Sequence, residues 1–154
     1  MQQQATGAYT NEGAADQLAA LLASGDYAGA KLHLYKSSFS PTVDSKAADF
    51  LAEECDFTGY TAQSVTYSAV GTDETGTPTV LSNRVFFQAT DAAAPNMVGG
   101  AVLIKDVTGP PATHTAVGYY QLPAPIALNV ALAFVGVVLT IVTPQGTGLA
   151  TFDF

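Results

Sequence analysis

The side chains best suited to acid–base, nucleophilic or metal chemistry are few in this chain. His33 and His114 are its two histidines and Cys55 its one cysteine. Neither histidine has a second His, Cys or carboxylate three or four residues away in helical context, the spacing that puts two metal ligands on one face. His33 alternates with Leu32 and Leu34, which places it on the outer face of a strand. A histidine can meet a distant serine in a triad, but no G-x-S-x-G elbow occurs and Cys55 has no identifiable base. Glu53, Glu54 and Asp56 cluster, and a carboxylate pair could do acid–base work on a sugar; the plainer reading is a solvated helix end. The acidic run Thr72-Asp73-Glu74-Thr75-Gly76 lacks the alternating oxygen ligands and closing glutamate of an EF-hand. No glycine cluster opens a helix as a phosphate-cradling loop does. Tyr67, Tyr119 and Tyr120 could form a sugar-stacking platform, although tyrosines on strands of small β-domains usually pack. The sequence therefore assigns no catalytic residue, no cofactor site and no metal ligand.

Composition narrows the classes further. The net charge of −8, with only five Lys and Arg, cannot neutralise a row of phosphates and argues against nucleic acid. Only 12% of the 154 residues are charged, about half the usual share. From Val107 to the C-terminus Asp153 is the sole carboxylate, and no Lys or Arg occurs. Such a stretch either forms the central sheet or meets another protein, and both are expected here. A homo-oligomer or a larger assembly is expected. Met1-Gln2-Gln3-Gln4 has neither a basic nor an apolar region, so no signal peptide is expected.

The elements that must position any site are mostly strands. Ile126 to Val142 carries no charge and could pass for a membrane helix, but its large residues recur with period two: Ile126, Leu128, Val130, Leu132, Phe134. The reading is a core strand with a heavy inner face and a light face of Ala127, Asn129, Ala131 and Ala133. That light face is the expected subunit interface. The phase slips after Phe134 beside Gly136, which predicts a bulge or bend between two strands. Further strands are expected at Lys31–Lys36, Ala62–Val70, Val80–Ala89, Val98–Lys105, Thr113–Leu122 and Leu149–Phe152, with extended chain from Cys55 to Tyr60. Short helices are expected after Thr10 or Asn11, with a Leu18, Leu21, Leu22 stripe, and over Lys46–Glu54 with Asp44 or Ser45 as cap. Residues 1–9 read as an N-terminal arm and 10–154 as a single β-rich domain. The fold class is mainly β, an antiparallel sandwich or jelly roll with one or two short helices near the N-terminus.

One block is more particular. Lys31-Leu32-His33-Leu34-Tyr35, Ser40-Pro41-Thr42, Ala48-Asp49-Phe50 and Phe57-Thr58-Gly59-Tyr60, preceded by Thr10-Asn11-Glu12-Gly13, form a series. It resembles a pattern of small virion proteins of tailed bacteriophages, K-L-H-L-F, T-P, L-A-D-F and F-x-G-Y in order. The resemblance covers about Thr10 to Tyr60. Tyr35 stands for Phe, and Ser45-Lys46-Ala47 precedes the Ala-Asp-Phe triplet. It implies a non-enzymatic structural protein, a capsid decoration (cement) protein that binds the major capsid protein on the phage head, often as a trimer. On that reading Gln2, Gln3, Gln4 and Tyr9 of the arm contact the capsid, and the protein is made in the host cytoplasm. The rival is a tail or fibre component that binds a host receptor or glycan, for which a tyrosine-lined groove is expected. No membrane partner is expected.

Overall fold

The computed structural model describes residues 1–8, 10, 30–67, 71, 72, 78–91, 96–105, 110, 113–128, 131–142 and 148–154. Among the described residues ten strands and one helix follow in order: β1 (Gln2–Ala8), β2 (Lys31–Lys36), α1 (Ala47–Ala52), β3 (Gln63–Ser64), β4 (Gly71–Thr72), β5 (Pro78–Leu81), β6 (Val85–Gln88), β7 (Asn96–Lys105), β8 (Thr115–Leu128), β9 (Phe134–Val142) and β10 (Gly148–Asp153). The protein is mainly β and antiparallel. The strands hydrogen-bond in the order β3-β2-β7-β8-β1-β10-β9-β5-β4, and β6 shares with β5 the edge of β9 that faces away from β10. The sheet curls nearly into a barrel. Past β3, Tyr67 bridges Ser82, and Asn83 N–H donates to the Thr66 carbonyl at 2.8 Å, joining the β2 side to the β5–β6 link. Among the described residues no helix is long and apolar enough to cross a membrane.

Period-two alternation explains most of the interior, with one register slip, opposite Leu103 and Ile104, that puts both Val117 and Tyr120 of β8 inside. Leu32 and Leu34 of β2, Val117, Tyr120 and Leu122 of β8, Val135, Val137 and Leu139 of β9, and Ala150 and Phe152 of β10 all turn inward into one cluster. Each fully buried Val, Leu or Phe side chain there contributes about 1.5–3 kcal/mol relative to exposure. Their outward neighbours on β9 and β10 (Val138, Thr140, Leu149, Thr151) are half-exposed.

Helix α1 lies on the outside of β2, β7 and β8. Ala47, Ala48, Leu51 and Ala52 favour a helix, and the Lys46 N–H donates to the Asp49 carboxylate at 2.8 Å to hold its start. The start falls at Lys46 rather than at Asp44 or Ser45, because the Ser45 hydroxyl is occupied by the Thr42 N–H at 2.9 Å. Ala47 and Phe50 turn inward against Tyr35, Val102, Ile104, Ala116 and Tyr119, forming a second apolar cluster outside the barrel. Phe50 sits centrally, with ring centroids 5.6 Å from Tyr35, 5.2 Å from Phe39 and 5.8 Å from Tyr119. Strand β7 is thus covered on both faces, and every residue from Val98 to Ile104 is buried.

Several sequence expectations need correction. Residues 2–8 are not an arm: β1 lies between β8 and β10, with Gln4 paired to Thr151 and Thr6 to Gln121. The expected strand from Ile126 to Phe134 is broken. Ile126 and Leu128 end β8 with inward side chains, but Ala131 and Leu132 form a turn. Leu132 takes φ of 68° and is 67% exposed rather than buried. Phe134 opens β9 on the outer face, stacked on Phe86 at 5.3 Å. The chain does bend between two strands, but at Ala131–Leu132, and Gly136 lies inside regular β9 pairing. Val80–Ala89 divides into β5 and β6, the expected strand Ala62–Val70 reduces over its described residues 62–67 to β3 and the bridge at Tyr67, and β8 runs past Leu122 through two prolines. Tyr9, Asn129, Val130 and the expected helix after Thr10 lie outside the described residues.

Candidate functional site

His33, Glu54 and Tyr60 come together. After α1 the chain turns back along β2: Glu53 accepts from Lys36 N–H at 2.9 Å, and Cys55 N–H donates to the Leu34 carbonyl at 2.9 Å. This carries Glu54 onto the outer face beside His33, in place of a solvated helix end. The Glu54 carboxylate accepts from His33 Nδ1 and from the Tyr60 hydroxyl, each at 2.6 Å. The Tyr60 oxygen in turn accepts the Leu34 N–H at 3.0 Å. Burial pushes the Glu54 carboxyl up, but the hydrogen bonds from His33 and Tyr60 and the His33 charge outweigh it and hold the group below its ordinary value. Burial and the Glu54 charge drive the Tyr60 hydroxyl far upward, so it stays a donor.

A Tyr–Glu–His chain could orient a general base, but the acting atom must reach a substrate. His33 is only 7% exposed, and its Nε2 is buried without a partner. In this structure the three side chains fasten β2, the end of α1 and the Phe57–Tyr60 turn together. Cys55 is buried beside them, and burial, its main perturbation, pushes the thiol to about 12, so it is no thiolate nucleophile at neutral pH. Asp56 has a separate task. Its carboxylate takes Asn96 Nδ2 at 3.0 Å and Lys36 Nζ at 3.3 Å, and these bonds, Asn96 first, hold it below its ordinary value. Asn96 Oδ1 accepts the N–H groups of Asp56 and Phe57, pinning that loop to the start of β7. His114 precedes β8, and its two ring nitrogens, both buried, have no hydrogen-bond partner among the described residues. Among the described residues, no three of His, Cys, Asp and Glu stand close enough to hold a metal ion.

The tyrosine platform does not assemble. Tyr120 points into the barrel, and Tyr67 lies at the closing bridge between the β3 side and Ser82. Tyr119 alone faces a groove. The groove has a volume of about 470 Å³ and is lined by Gln4, Thr6, Ala8, Tyr119, Gln121, Leu122 and Pro123. Register explains it. Gln121 pairs with Gly100 and Ile126 with Val98, so Leu122 to Pro125 bulge out opposite the single residue Gly99. Pro123 and Pro125 have no N–H to give the ladder, which favours a bulge there. β8 also leaves β1 after the Thr6–Gln121 pair. The bulge forms one wall, and Ala8 with Tyr119, braced by Phe50, forms the other. Gln4 and Thr6 project from the outer face of β1 between them.

The residues expected at the subunit interface are scattered. Ala127 is exposed opposite Met97 on β7, Ala131 is exposed in a turn, and Ala133 packs partly against the core. Gln2, Gln3 and Gln4, expected to reach a capsid from a loose arm, are held in β1, where Gln2 Nε2 donates to Asp153 at 3.0 Å. The sequence reading missed both the Glu54 cluster and the groove. The Tyr60 of F-x-G-Y, an aromatic hydroxyl in a turn, was the one available pointer to the first. Comparison with protein-family models, curated proteins and solved structures finds no match to this chain.

Proposed function

We propose that this chain is a non-enzymatic structural protein of a tailed-phage virion, a decoration protein that binds the major capsid protein on the head surface and works as a homo-oligomer, with a trimer expected. The observation that carries this reading is the outer face of β10 and β9. Leu149, Thr151, Val138 and Thr140 stand side by side there, half-exposed and uncharged. On the rim, Arg84 and Asp153 neutralise each other at 2.8 Å, and Phe86 lies 48% exposed against Phe134. In a chain of net charge −8, a broad face without free charge can approach another protein with little repulsion or desolvation cost.

The phage-like block supports the same reading by what its residues do. Leu32, Leu34, Tyr35, Phe50 and Phe57 are buried packing residues, and Tyr60 fastens a turn. The pattern builds scaffold. We read the curled sheet as a flattened jelly roll, since the β8-to-β9 passage skips β1 and β10 and the β1-to-β2 passage skips β8 and β7. Co-sedimentation with phage heads stripped of decoration protein tests the function. The expected result is saturable binding to assembled heads and none to unassembled capsid subunits. Failure to bind heads, together with recovery of the protein in purified tails, would replace the head by the tail.

A further inference from the structure

The groove between β1 and the Leu122–Pro125 bulge has a chemistry of its own. Three of its lining side chains, the amides of Gln4 and Gln121 and the hydroxyl of Thr6, both donate and accept hydrogen bonds. None of the three has a hydrogen-bond partner among the described residues. Gln121 and Thr6 are directly paired across β8 and β1, and Gln4 is two residues along the same face. Their polar groups therefore converge. The rest of the lining is Tyr119, Pro123, Leu122 and Ala8, an aromatic ring and apolar walls. No Lys, Arg, Asp, Glu or His lines it.

We propose that this groove is a binding site for a neutral saccharide. Vicinal hydroxyls need partners that donate and accept at once, which primary amides and a threonine hydroxyl supply, whereas a phosphate or carboxylate would need a cation. The apolar C–H face of a sugar ring packs on an aromatic or proline wall. The volume of about 470 Å³ lies within the range of small-ligand sites, about 300–1,000 Å³. Tyr119 packs on Phe50 with ring centroids 5.8 Å apart and is largely buried, so little side-chain freedom is left to lose on binding. The site belongs to the single chain and does not depend on a place in a phage head.

The test is an array of immobilised neutral glycans (glucans, mannans, galactans and chitin oligomers) beside sialylated and uronate-containing ones, probed with the intact protein. A trisaccharide of the strongest class is then titrated against the ¹⁵N-labelled protein. The expected result is binding of neutral glycans alone, with shifts confined to the backbone amides of Gln4, Thr6, Tyr119 and Gln121, the side-chain amides of Gln4 and Gln121, and their neighbours. Gln4→Ala and Gln121→Ala, both exposed positions, should each weaken binding up to about tenfold while leaving the melting temperature unchanged. Silence across the array overturns the proposal, as does binding of charged glycans only. Binding by both variants as tight as that of the wild type also overturns it, as does a shift of these resonances by an extended Thr/Gln peptide when no saccharide moves them.

Discussion

On one side of the barrel, β2, β7 and β8 as far as Tyr120 are covered within and without; on the other, β9, β10 and most of β1 are covered only within. The first side carries α1, Phe39 and the Glu54 fastening, and leaves no residue from Val98 to Ile104 exposed. The second alternates strictly, with Val137, Leu139, Ala150 and Phe152 inside and Val138, Thr140, Leu149 and Thr151 outside. Covering a sheet with its own helix finishes that face as structure. A face left open and without free charge, in an acidic protein, is the one we propose as contact surface, and the comparison separates it from the scaffold.

Substitution can break that comparison. Phe50→Ala, which empties the centre of the outer apolar cluster, should cost about 3–5 kcal/mol, read by urea denaturation. Leu128→Ala, buried inside the barrel, should cost about 2–5 kcal/mol in the same assay. Neither loss should alter the open face, so any assembly that survives should keep its stoichiometry. A denaturation midpoint for Phe50→Ala equal to wild type would mean that α1 is an ornament.

A smaller effect sharpens the role of the fastening. Tyr60→Phe removes the donor to Glu54 and the acceptor of the Leu34 N–H, and should cost about 1–3 kcal/mol. Glu54 also predicts a pH dependence. Its carboxyl lies below its ordinary value of 4.5 in the folded protein, so the unfolded chain takes up its proton first as pH falls. The stabilisation is complete above that ordinary value and is lost as pH drops through the folded value. Urea midpoints measured down through this window should fall more steeply for wild type than for Glu54→Gln. Parallel curves would show that the carboxylate contributes nothing.

The smallest effect is expected at Ala131. Its place in an exposed turn means that Ala131→Asp should shift subunit stability by no more than about 0.5 kcal/mol, checked by thermal melting. The sequence had placed this residue on a dry strand face, and the reason it misled is physical. Ile126 to Phe134 alternates without a Gly or Pro at the tip, and the turn is made instead by Leu132 at positive φ, which side chains rarely adopt. The opening strand was hidden for the opposite reason: β1 turns Gln3, Ala5 and Gly7 inward, polar or too small to print an apolar alternation. Where buried side chains are large and the period is clean, in β2, α1, β7 and β10, sequence and structure agree closely. The groove was illegible because it arises from a mismatch in register between β7 and β8, which local pattern does not encode. Glu54 was illegible because its partners are 21 and 6 residues away, brought in by the return of the chain along β2.

Sedimentation velocity on wild type and Val138→Asp tests the central claim most directly. Val138 stands half-exposed on the open face, paired with Thr151 on β10, so an aspartate there leaves the barrel interior intact and charges the surface. The account predicts a discrete oligomer for wild type at micromolar concentration and a folded monomer for the variant, with unchanged circular dichroism. A wild-type monomer, or a Val138→Asp protein that assembles as wild type does, would contradict it.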